Sequence, residues 1–217
     1  YNEMNPRSGD LSYLKAAGAA PFKGIRAANP EGILMIQGWL FFNSKAFWTE
    51  PRIEAYLSGV PSTNMIILDL YSEVHPQWQR TQSYFGRPWI WNVLLNFGGN
   101  RGLYGNINDI GSLPLLALSE ENSTCIGTGI TPEAIENNPV IFEVITEVSW
   151  RTQPIQGEDW LSNYAERRYA STNVELAQAW QKLHAAVYNT SLISKSIVRL
   201  YPRIDMAPST SSNVTLL

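Results

Sequence analysis

Ile33-Leu-Met-Ile-Gln-Gly-Trp39 and Met65-Ile-Ile-Leu-Asp-Leu-Tyr71 are two runs of almost unbroken apolar character. A strand with one wet face alternates apolar and polar residues, whereas a strand covered on both faces reads as a continuous run. Both runs therefore read as strands of a parallel sheet. Between them, Pro51 to Leu57 opens on a proline suited to a first helical turn and reads as a short helix. Pro88 to Phe97 (PWIWNVLLNF) is a third strand candidate, equally readable as a buried helix, and Gly98-Gly99 ends it. Ser123 to Gly129 (STCIGTG) is a fourth, shorter candidate. Strand, connection, strand in this style gives an α/β class, and a β/α barrel fits best. The four units counted here make half of a (β/α)8 TIM-like barrel. Such barrels keep their reactive groups at the C-terminal strand ends, where Glu3, Trp39, Leu70 and Phe97 would fall.

From Pro139 the periodicity changes. Val140, Ile141, Val144, Ile145 and Val148 recur at helical spacing, which puts Glu143 and Glu147 one turn apart on a shared face. Asp159 to Tyr169 and Val174 to Tyr188 read as amphipathic helices, the second with Leu176, Trp180, Leu183 and Val187 on one stripe. These open an all-α domain. Ala207 to Val214 is polar and turn-rich and reads as a fraying end. The chain lacks an initial Met and reads as a fragment of a longer protein.

The 217 residues, 44% hydrophobic, suffice for an ordinary buried core. A net charge of -3 with no basic run gives nucleic acid no phosphate-neutralising surface. The longest apolar stretch, Ile33 to Phe42, contains Gln37 and Gly38 and is about half of the ~20 residues a membrane helix needs. Neither nucleic acid nor membrane is expected as a partner. Cys125 stands alone, so no intrachain disulfide forms and a thiol nucleophile is not expected. His75 and His184 show no metal-ligand spacing, and no metal or cofactor is expected. A homo-oligomer is compatible with the sequence. The sequons at Asn122, Asn189 and Asn213 lean towards a lysosomal/vacuolar or secreted route.

No GxSxG elbow, phosphate-cradling glycine loop or Cys/His pair is present. Acidic residues among aromatics remain. Glycoside cleavage needs one carboxylic acid to protonate the departing oxygen and one carboxylate at the anomeric carbon, and flat rings to meet the C–H faces of sugars. Glu3, Asp69, Glu73, Glu143 and Glu147 are the candidates.

YNEMNP (1–6), LMIQGWLFF (34–42), MIILDLYSE (65–73), RPWIWNVLLNFGGNRGLYG (87–105), GTGITPE (127–133), ITEVSW (145–150) and YAERRYA (164–170) together resemble the α-N-acetylglucosaminidase family, family 89 of the glycoside hydrolases. The resemblance runs through nearly all of residues 1–190. It implies the second half of the catalytic barrel over residues 1–168 and the truncated start of a C-terminal α-helical domain over 169–217. The first barrel half and the rest of the helical domain would then be missing partners. It further implies a retaining exo-glycosidase that removes terminal α-linked N-acetylglucosamine from a glycan substrate, heparan-sulfate-like in an animal. Glu3 would be the acid/base with Asn2 beside it, and Glu147 the nucleophile. Trp39, Leu70, Leu94 and Phe97 would wall the sugar site. Arg101 in GGNRG and Ser149 in EVSW depart from the pattern of the animal enzymes without removing either carboxylate. The other reading is a catalytically silent carbohydrate-binding relative.

Overall fold

A computed structural model describes residues 3–95, 104–133 and 138–190. They fall into two compact units. One comprises residues up to Leu94 together with Leu116–Thr131, and the other Leu95–Leu115 with everything from Pro132 onward.

The first unit begins with helix α1 (Leu11–Ala28), whose N-terminus is capped by Asp10 accepting from the Tyr13 N–H at 2.9 Å. Strand β1 (Leu34–Gln37), the short helix α2 (Trp39–Asn43) and helix α3 (Glu50–Leu57) follow. Strand β2 (Met65–Asp69) leads to a left-handed turn, α4 (Gln82–Gly86), and then to β3 (Trp89–Val93). The apolar PWIWNV stretch is thus a strand, as its aromatic and β-branched content favours.

In the second unit the two-residue strand β4 (Gly105–Asn106) precedes α5 (Ile107–Ile110). Helix α6 (Leu113–Ser119) leads back into the first unit and to β5 (Cys125–Ile130). Helices α7 (Pro139–Val148), α8 (Gly157–Tyr169) and α9 (Val174–Ala186) then return to the second unit and end in strand β6 (Asn189–Thr190). The five apolar positions expected on one face of α7 are all buried. The stripe on α9 is only half-buried, and His184 is its one fully buried side chain.

The sheet has the order β1-β2-β3-β5, parallel throughout, with Leu34 opposite Met65 and Ile67 opposite Trp89. Neighbours in space follow the order of the chain without reversal. That is the order of a barrel segment, whereas a doubly wound sheet reverses at a switch point. One face of β2 and of β3 is fully buried through Met65, Ile67, Trp89, Trp91 and Val93, whereas Ile66, Leu68 and Ile90 on the other face are half-buried. Cover fails at the margins. Met35 of β1 and Ile126 of β5 are 54% and 55% exposed, since among the described residues neither strand has a partner on its outer side. The first strand is also shorter than its apolar run: the backbone turns at Gly38, and Trp39 opens a helix.

Helix α1 packs on α3 and the turn after it through small residues. A Cβ on Gly18 would collide with the Tyr56 carbonyl, and one on Gly59 with the Lys15 carbonyl. Gly24, on the same helix, has open space around it. Gly18→Ala is therefore expected to destabilise the protein by about 1–3 kcal/mol through overpacking. Gly24→Ala should stabilise it by about 0.5–1 kcal/mol by removing a flexible residue from a helix interior. Chemical denaturation of the two variants beside wild type checks both signs.

Candidate active site

The C-terminal ends of β1 and β2 carry a polar and aromatic surface. Gly38 closes β1 by donating its N–H to the Leu68 carbonyl at 2.7 Å. A side chain there would meet the buried Tyr84 hydroxyl, 2.6 Å from the position a Cβ would take. The sharp turn then delivers Trp39, whose indole Nε1–H donates to Glu3 Oε1 at 3.3 Å. Glu3 is exposed and Trp39 half-buried, so the carboxylate faces solvent while one oxygen is oriented.

At the end of β2, Asp69 is 1% exposed and accepts the backbone N–H groups of Gln77 and Trp78, each at 3.0 Å from Oδ2. Burial pushes its carboxyl up to about 6, against the pull of those two N–H groups. The Tyr84 hydroxyl, buried nearby, stands outside hydrogen-bonding geometry and helps less. Gln77 Oε1 accepts from Arg80 Nε at 2.8 Å, and the Arg80 guanidinium donates to the carbonyls of Phe41 (2.7 Å) and Trp48 (3.1 Å). The loops after β1 and β2 are thereby tied together.

Glu73 is buried in the same loop and accepts the Leu94 N–H at 2.9 Å, just past β3. Leu70 and Leu94, expected to wall the sugar site, are 4% and 2% exposed. Asn2 and Phe97 lie outside the described residues.

Glu147 belongs to the other unit, on the last turn of α7. Its carboxylate accepts from Trp160 Nε1 at 2.7 Å and from Arg151 through Nε (2.9 Å) and Nη2, with Arg167 at 3.7 Å. Partial burial works to raise its pKa, but these donors and charges outweigh it and hold the carboxyl below the usual range. Arg167 also binds Glu143 at 2.8 Å, so the shared face expected for the two glutamates exists and faces α8.

One carboxylate was passed over in sequence although it closes the quoted GTGITPE block. β5 ends at Ile130; the Thr131 N–H still reaches the Val93 carbonyl at 2.9 Å, and exposed Glu133 follows two residues on. Its position immediately past a parallel strand was the available signal. Among the described residues no cluster of His, Cys, Asp or Glu could hold a metal ion. No described helix is long and apolar enough to cross a membrane.

A sequentially ordered parallel sheet with carboxylates and aromatic rings at its C-terminal strand ends defines a β/α-barrel type of protein. The profile of the Alpha-N-acetylglucosaminidase (NAGLU) tim-barrel domain matches residues 1–152, and that of the C-terminal domain of the same enzyme matches 160–216. The chain belongs to the alpha-N-acetylglucosaminidase family. It is 39% identical to human alpha-N-acetylglucosaminidase over 192 residues, 88% of this chain and 26% of that protein, so it spans about a quarter of the curated relative. Two solved structures of the family 89 glycoside hydrolase from Clostridium perfringens are similar. The complex with 2-acetamido-1,2-dideoxynojirmycin has a TM-score of 0.71 and 28% identity, covering 91% of this chain and 22% of that one. A variant with two glutamates replaced by glutamine, in complex with its substrate GlcNAc-alpha-1,4-galactose, has a TM-score of 0.69 and 29% identity, covering 85% and 20%.

Asp69 gives the fold a pH dependence whose sign follows from its raised folded-state pKa. Its contribution is fully present below the unfolded value of 3.8 and lost as pH rises through about 6. Wild type should therefore lose stability relative to Asp69→Asn across that window, as read by denaturation midpoints at fixed ionic strength. Parallel profiles for the two proteins would refute this role of Asp69.

Proposed function

We propose that the intact protein is a retaining exo-α-N-acetylglucosaminidase, with residues 1–168 from the second half of its barrel and 169–217 from the start of a C-terminal α-helical domain. The observation that carries this is the Glu3 carboxylate oriented by the Trp39 indole at the strand ends of a chain in this family. Glu3 donates its proton to the glycosidic oxygen as the bond from that oxygen to the anomeric carbon breaks. A second carboxylate bonds to the anomeric carbon. Water then displaces it, giving a proton back to Glu3, and configuration is retained overall. The substrate is a glycan ending in α-linked N-acetylglucosamine. Exposed sequons at Asn122 and Asn189 support a lysosomal/vacuolar or secreted location.

For the second carboxylate we propose Glu133. The sequence resemblance points to Glu147, but barrel enzymes take reactive groups from strand ends, and Glu133 follows β5 whereas Glu147 lies on a helix. Every donor around Glu147 comes from Arg151, Trp160 and Arg167, a pattern that serves helix packing. The two glutamates replaced in the Clostridium variant are also separated by a span closer to that from Glu3 to Glu133 than to that from Glu3 to Glu147.

A slowly released activated fluoro-sugar should label the peptide that contains Glu133, and Glu133→Gln should remove almost all turnover. Label on Glu147 would return the nucleophile to that residue. Glu3→Gln should slow substrates with poor leaving groups by about 10²–10⁴-fold and activated ones far less. Equal losses on both substrate types would remove the acid role from Glu3.

A further inference from the structure

Beyond Glu3, a row of half-buried rings runs outward along the ends of β1 and β2. The ring of Trp39 lies 5.3 Å from that of Phe42, and Phe42 stacks on the His75 imidazole with centroids 4.1 Å apart and planes 14° from parallel. Buried Tyr71 supports the row from beneath: it meets His75 edge-on at 5.2 Å and Trp39 at 6.4 Å. The backbone holds His75 in place, its N–H donating to the Tyr71 carbonyl at 2.8 Å while its own carbonyl accepts from Gln77 Nε2 at 2.8 Å. Neither Phe42 nor His75 belongs to the buried core, and the chemistry proposed above uses neither.

We propose that the stacked Phe42–His75 pair is the platform for the departing sugar, receiving the apolar C–H face of a neutral pyranose. The proposal rests on the reading of Glu3 as the acid. A general acid delivers its proton to the leaving oxygen, so the group bound on its side of the scissile bond is the one that departs. Trp39 occupies the edge next to Glu3, and Phe42 and His75 continue the same surface one ring further out. Stacking fixes the planes of both rings, and flat apolar rings are what the C–H faces of sugars pack against. Burial lowers the pKa of His75 and so disfavours the charged imidazolium in the stack.

The test compares two substrates of the intact protein: α-N-acetylglucosaminyl fluoride, whose leaving group carries no sugar, and the disaccharide GlcNAc-α-1,4-galactose. In Phe42→Ala and His75→Ala, the disaccharide KM should rise relative to the fluoride KM by about threefold to tenfold. His75→Phe, which keeps a stacked ring, should restore the wild-type ratio. An unchanged ratio in both alanine variants overturns the platform. His75→Ala leaves the core intact and decides the matter should Phe42→Ala fail to fold. If wild type turns over neither substrate, the glycosidase reading fails, and calorimetric titration with the disaccharide still decides the platform. Weaker binding in the variants upholds it; unchanged binding, or none to wild type, overturns it.

Discussion

The strand-end surface depends on one buried carboxylate. Asp69 closes β2 and holds two backbone N–H groups, those of Gln77 and Trp78, which fold the following loop back over the sheet. Without that pair of bonds the loop would have to satisfy two buried donors elsewhere, and an unmet buried donor costs about 1–3 kcal/mol. The constraint propagates. Gln77, fixed by Asp69, engages Arg80, and Arg80 fixes the carbonyls of Phe41 and Trp48 in the segment after β1. Trp39, Tyr71 and His75 thus owe their mutual geometry to one charge that never meets solvent.

The second unit is organised differently. Its polar contacts lie on helix faces, where Arg167 joins Glu143 and Glu147 of α7 to α8 and rests over the Trp160 ring at 5.6 Å. Inside, Asn138 donates to the Tyr104 carbonyl and accepts from the Tyr188 hydroxyl. Its side chain is therefore unavailable to cap α7, which starts on Pro139 instead. Charge here braces helices.

Continuous apolar runs located β1 and β2, while β3 read equally as a helix until the structure showed a strand, and the short β5 carries no such run. Proline at the start of α3 and the 3.6-residue period of α7 were also legible. Helix α1 was not, since Gly18, Pro21 and Gly24 each weaken a helical reading and only packing against α3 explains the first of them. At the site, Trp39 and Glu3 were readable as a pair through resemblance, and the structure joins them with a hydrogen bond. That Leu70 and Leu94 are buried was not readable, because a leucine at a strand end has the same letter at any exposure. Periodicity does not locate the end of a six-residue strand to the residue, which is why the position of Glu133 just past β5 was not legible.

Asp69 and Glu147 titrate in opposite senses. Asp69, raised by burial, contributes most in acid and loses its contribution as pH climbs through about 6. Glu147, lowered by Trp160, Arg151 and Arg167 against a partial desolvation, contributes above the ordinary carboxylate value of 4.5 and loses its contribution as pH falls through its folded-state pKa. Glu147 is half-buried, so solvent and salt screen part of its share, whereas Asp69 is shielded from both. The unscreened group therefore sets the slope, and it tilts stability towards the acidic side of neutrality.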